Sequence, residues 1–98
     1  MAKKKQIAPS CLFQANGYHK GAWRTPEAEP GADTDIQHYI RYAQRLEEGL
    51  FDLFFIADTP ATRTENLDIW TKSPIYTNGL EPITVLTALA LSTKHIGL

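Results

Sequence analysis

The stretch at residues 50–57, LFDLFFIA, constrains this chain more than any other. It is apolar and aromatic almost throughout, is interrupted only by Asp52, and is closed by Asp58, Thr59 and Pro60. A strand with apolar side chains on both faces is covered on both, as in a parallel sheet. Parallel neighbours need long crossovers, and the segments on either side have that character. Before it, Ile36, Tyr39, Ile40, Ala43 and Leu46 recur at three- and four-residue steps, which puts them on one face of a helix. Thr34 and Gln37 are spaced as a capping box, Asp33 and Asp35 suit the positive helix start, and Gly49 stands just past the end. After it, Glu81 and Pro82 open a second helical pattern in which Ile83, Leu86 and Ala90 share one side, broadened by Val85 and Leu89.

Residues 7–13 (IAPSCLF) read as an earlier strand, although Pro9 has no amide proton to donate. Residues 95–98 (HIGL) read as the turn into a third. The order strand, helix, strand, helix, strand start is the signature of a βα repeat. The expected class is therefore α/β: the N-terminal part of a TIM (β/α)8 barrel, with about two βα units and the start of a third strand. Such a barrel takes about 250 residues, and this chain has 98. Residues 1–98 are expected to form one incomplete domain with a flexible tail at 1–6, and the open sheet to need covering by another chain or segment.

Composition removes several alternatives. Hydrophobic residues make up 43% and charged residues 21%, values of an ordinary globular protein. A net charge of -1 offers no broad attraction for nucleic acid or an anionic membrane. Lys3, Lys4 and Lys5 are not followed by the apolar stretch of a signal peptide, and no run approaches the roughly 20 apolar residues of a membrane span. The single Cys11 cannot form an internal disulfide, so a cytoplasmic setting is expected. No spacing suits a metal site, a phosphate loop, a dinucleotide fingerprint or a nucleophile elbow.

Barrel enzymes work at the carboxyl ends of their strands, so the informative segments are the long loops at residues 14–33 and 58–80. The first holds NGYHKGAWRTP, which sets His19, Trp23 and Arg24 between glycines: a titratable ring, an aromatic platform and a permanent cation, suited to an aromatic or anionic ligand. These residues also have structural uses. His19 can be solvated, Trp23 can pack the loop down, Arg24 can pair with Glu27, and Asp58 can cap the turn after its strand. Cys11 reads as a buried structural thiol.

Four pieces in order carry a resemblance: GAWR at 21–24, YAQRLEEGLFDLFFIAD at 42–58, LEP at 80–82 and TKHIGL at 93–98. Together they resemble the bacterial luciferase-like, FMN-dependent monooxygenases, in the branch of nitrilotriacetate monooxygenase component A, dibenzothiophene sulfone monooxygenase and long-chain alkane monooxygenase. The resemblance runs from about Ile7 to the last residue. It implies a TIM-barrel enzyme that oxygenates a small organic compound with O2 and reduced FMN supplied by a separate NAD(P)H:flavin reductase, and that associates with itself when full length. By the same resemblance Asp58 belongs to the FMN site, His19 is the candidate catalytic hydrogen-bond donor, and Trp23 and Arg24 stand in the substrate pocket, with no metal. The family often has its histidine directly before the glycine of GxWR; here Lys20 holds that position and His19 precedes it. On this reading the 98 residues alone are inactive. The alternative reading is a truncated, non-catalytic remnant or binding module that pairs with another chain through its open sheet.

Overall fold

The computed structural model describes residues 4–59, 65–72 and 79–98. Strand β1 is Ser10–Leu12, helix α1 is Ile36–Glu48, strand β2 is Leu53–Phe55, a single turn α2 is Leu67–Trp70, and helix α3 is Pro82–Ser92. β1 and β2 pair in parallel, with Ser10 opposite Leu53, Cys11 opposite Phe54 and Leu12 opposite Phe55. On the far side of β2, Gly97 forms a parallel bridge to Leu53. The third strand therefore begins where the sequence suggested, and the order across the sheet follows the chain. Lys4 to Gln6 are exposed and belong to no element.

The paired strands are shorter than residues 7–13 and 50–57. Pro9 joins the ladder only through its carbonyl, which accepts the Asp52 amide, and Phe13 closes it by donating to the Phe55 carbonyl. On the other edge of β2, Phe54 donates to the Gly97 carbonyl and Gly97 to that of Asp52, both at 2.8 Å. A Cβ at Gly97 would sit 3.0 Å from the Asp52 oxygen, so this close approach requires a small residue.

Alternation along paired strands separates the two sheet faces. Cys11, Phe13 and Phe54 point to the helices, where Phe54 is fully buried with Tyr39, Ala43, Val85, Leu89 and Ile96. Ser10, Leu12, Leu53 and Phe55 point the other way, and that face is bare: Leu12 is 43% exposed and Phe55 51%. The expectation of a strand covered on both sides thus holds here for one face only, because both described long helices pack on the same side. Fully burying a side chain such as Phe54, Val85 or Leu89 is worth roughly 1.5–3 kcal/mol.

Helix α1 buries the expected face, with Tyr39 and Ala43 inside and Ile36, Ile40 and Leu46 packed against the core. Its start differs. Asp35, not Thr34, is the N-cap, and its carboxylate accepts the Gln37 amide at 2.9 Å, while the Thr34 hydroxyl donates to the Gly31 carbonyl. Asp wins because its carboxylate also answers the positive end of the helix. At the other end Gly49 is the C-cap, and the left-handed residue is Leu50, at φ 61°. Phe51 donates to Leu46 and Leu50 to Glu47, the paired bonds of a Schellman turn.

Helix α3 opens on Glu81, whose carboxylate accepts the Ile83 and Thr84 amides, with Pro82 in the first turn. Its buried side is Val85 and Leu89 with Leu86 partly covered, whereas Ile83 and Ala90, expected to face inward, are exposed. A helix apolar on nearly every side gives periodicity too little contrast to pick its inner face.

Candidate functional site

In parallel strands the loops that follow leave from one edge of the sheet. The loop after β1 and the loop after β2 both start there, and they carry His19, Trp23, Arg24 and Asp58.

The first loop is ordered by its own turns. Gly17, at φ 84°, donates to Gln14, and the chain folds back through Ala22 to His19 and Arg24 to Gly21 into a short 3-10 turn, Ala22–Arg24. A buried histidine fastens this loop to α1. His38 is 2% exposed; its Nδ1 lies 3.0 Å from a Glu29 carboxylate oxygen and its Nε2 2.8 Å from the Ala15 carbonyl. Both neighbours are acceptors, so both contacts are hydrogen bonds only when each nitrogen carries a proton. Glu29 also takes a bond from Arg41 at 3.1 Å. The two ends of the loop are thereby tied to one helical side chain. Below it the Tyr39 hydroxyl donates to the Asp33 carbonyl, and burial, then the nearby Asp33 charge, push the Tyr39 phenol above its ordinary value. Sequence reasoning passed over His38. The available signal was its place one residue before the apolar Tyr39 and one turn from Tyr42, whose ring it meets at 4.7 Å.

A cavity of about 500 Å³ opens between this loop, β1 and α1, and Cys11, Phe13, Tyr18, Glu29, His38 and Tyr42 are among its walls. The candidate ligand-binding residues named from the sequence, His19, Trp23, Arg24 and Asp58, are not. Tyr18, Ala22 and Thr25 face the cavity, while His19, Trp23 and Arg24, on the same turn, do not line it. His19 is exposed and its Nδ1 accepts the Gly21 amide at 3.1 Å. The neutral ring then carries its proton on Nε2. The Arg24 guanidinium carbon lies 4.7 Å over the Trp23 ring. No ion pair joins it to Glu27: the stack on the neighbouring indole takes the place of that expected pairing.

Asp58 follows the carboxyl end of β2, is exposed, and accepts the Thr59 amide at 2.8 Å through Oδ1. Much of the second long loop, residues 60–64 and 73–78, lies outside the described residues. Cys11 is half-buried, packs against the core and stays a free thiol. Among the described residues no group of three or more His, Cys, Asp or Glu side chains is arranged to hold a metal, and no helix is long and apolar enough to cross a membrane.

The class these features define is a small α/β unit with a parallel sheet and its candidate side chains at the carboxyl edge. No family model matches the chain. Individual relatives do. It is 39% identical to nitrilotriacetate monooxygenase component A of Aminobacter aminovorans, over 100% of this chain and 23% of that protein. It is 37% identical to one subunit of the pristinamycin IIA synthase of Streptomyces pristinaespiralis, over 99% and 23%, and 36% identical to N-acetyl-S-(2-succino)cysteine monooxygenase of Bacillus subtilis, over 99% and 21%. The chain is thus similar along its whole length to proteins named as monooxygenases, and it spans less than a quarter of the length of the curated relatives it matches.

Proposed function

We propose that this chain is the opening part of a (β/α)8 flavin-dependent monooxygenase that uses reduced FMN and O2 to oxygenate a small organic substrate. The observation that carries the reading is the sheet itself. Its consecutive strands run parallel, its outer face is covered by α1 and α3, and its inner face, Leu12, Leu53 and Phe55, is apolar and bare, as the lining of a barrel interior is. Similarity to named monooxygenases supports the chemistry.

The residues present suit a flavin. Asp58 offers a carboxylate at the strand end whose Oδ1 accepts the Thr59 amide, and its other oxygen, unengaged among the described residues, is an acceptor for hydroxyl or imide donors. Reduced FMN would supply the electrons that activate O2. This chain's own work is binding, shielding and proton placement. Asp58 accepts hydrogen bonds from the cofactor; Leu12, Leu53 and Phe55 keep water from the reacting face; His19 holds a proton on Nε2 toward solvent or ligand. Trp23 and Arg24 stand on the substrate side. The words "component A" in the name of the Aminobacter relative suit an oxygenase fed by a second protein, an NAD(P)H:flavin reductase. A cytoplasmic, self-associating enzyme completes the reading.

The test is an oxygen electrode assay of the full chain with a flavin reductase, FMN and amine- or thioether-bearing substrates. Oxygen uptake coupled to loss of the organic substrate supports the reading. Uptake recovered entirely as hydrogen peroxide, with every substrate intact, overturns it.

A further inference from the structure

Three features of the His19–Arg24 turn point to the chemistry of its ligand. The first is charge. From Tyr18 to Pro26 the chain carries Lys20 and Arg24 and no carboxylate. Among the described arginines, Arg41 is paired with Glu29 and Asp35, and Arg45 with Glu48, but Arg24 makes no ion pair. The second is support. The guanidinium carbon lies 4.7 Å over the Trp23 ring, and no ion pair among the described residues engages its N–H groups. The third is the histidine. With Nδ1 taken by the Gly21 amide, the neutral ring can only donate through Nε2. Adding a Cβ at Gly21 would bring it within 3.4 Å of His19 Nδ1, so glycine there keeps the ring close to the backbone.

The turn therefore presents donors and positive charge, since the one side-chain acceptor among His19, Lys20, Trp23 and Arg24, His19 Nδ1, is already taken by the Gly21 amide. A purely hydrocarbon ligand would leave these groups unanswered. An oxyanion answers them, and the planar guanidinium matches a carboxylate in a two-point grip. We propose that this turn binds a carboxylate group of the substrate, so that the organic acids are the substrate class. The assignment rests on the proposed oxygenase function only for the word substrate; the binding itself requires no flavin.

The test is a titration of the 15N-labelled full chain with sodium succinate, with uncharged succinamide and with inorganic phosphate at matched ionic strength, following the His19 ring and Arg24 side-chain nitrogens. Succinate should shift both in a saturable way while His19 keeps its Nε2–H form, and succinamide should not. Arg24→Gln should raise the succinate Kd at least about tenfold, with Arg24→Lys falling between. Equal binding of succinamide, or an unchanged Kd in Arg24→Gln, would overturn the proposal. Tighter binding of phosphate than of succinate would overturn it as well and assign the turn to a phosphate group. Failure of the oxygenase reading would show in the oxygen assay and leave this titration as it is.

Discussion

His38 is the side chain on which the first loop depends. It is buried, and its two bonds span Ala15, just after β1, and Glu29, near the start of α1. In His38→Phe the aromatic contacts with Phe13 and Tyr42 can persist, but the part-buried Ala15 carbonyl loses its donor. We expect a loss of about 1–3 kcal/mol, read from the midpoint of urea unfolding. Asp58 is the opposite case, exposed and, among the described residues, bonded only to its neighbour. Asp58→Ala should leave far-UV circular dichroism unchanged and weaken FMN binding about tenfold, the worth of one hydrogen bond to a charged group. An unchanged FMN affinity would return Asp58 to a turn-capping role.

At the scale of elements, the joints around α1 make two further expectations. Leu50 is 82% exposed and sits at φ 61°, a conformation that favours glycine. Leu50→Gly should therefore stabilise the protein by about 0.5–1 kcal/mol, seen as a rise in the urea midpoint. Glu47, in the last turn of α1, accepts the amides of His95, Lys94 and Ile96 and so clips the end of α3 to the start of the third strand. Those bonds, the His95 amide foremost, hold its carboxyl below the ordinary value of 4.5. The unfolded chain then takes up the proton first, so the contribution is complete above pH 4.5 and is lost as pH falls through the lower folded value. Glu47→Gln keeps the acceptor and removes the ionisation; its stability should fall less steeply on the acid side.

The helices were legible because three- and four-residue spacing is local: Tyr39 and Ala43 are buried as their spacing requires. The inner side of α3 was not, since Ile83, Val85, Leu86 and Leu89 are all apolar and only packing against α1 and the shared core around Phe54 selects Val85 and Leu89. Gly49 stands just past the helix end as expected, while the N-cap fell to Asp35, one residue beyond Thr34; such shifts depend on dihedral angles that residue type only biases. At the site, the loops, the exposed His19, Arg24 and Asp58 and the half-buried Trp23 could be named from the sequence. The clasp of His38, Glu29 and Ala15 could not, because it joins residues 9 and 23 positions apart.

Across the whole molecule the apolar surface tells a consistent story. The sheet face away from the helices is bare at Leu12, Leu53 and Phe55, and α3 leaves Ile83 and Leu91 exposed. A helix apolar on both sides belongs between two layers, and a parallel sheet is ordinarily covered on both faces. Both features suit one part of a closed barrel, and the relatives the chain matches are several times its length. On the proposed function this sheet edge belongs to a reduced-flavin site. Its most direct test is anaerobic equilibrium dialysis of the full chain against reduced FMN. Saturable binding of one FMN per chain, weakened in Asp58→Ala, is the expected result. Absence of binding at millimolar reduced FMN by a folded full chain would contradict the claim.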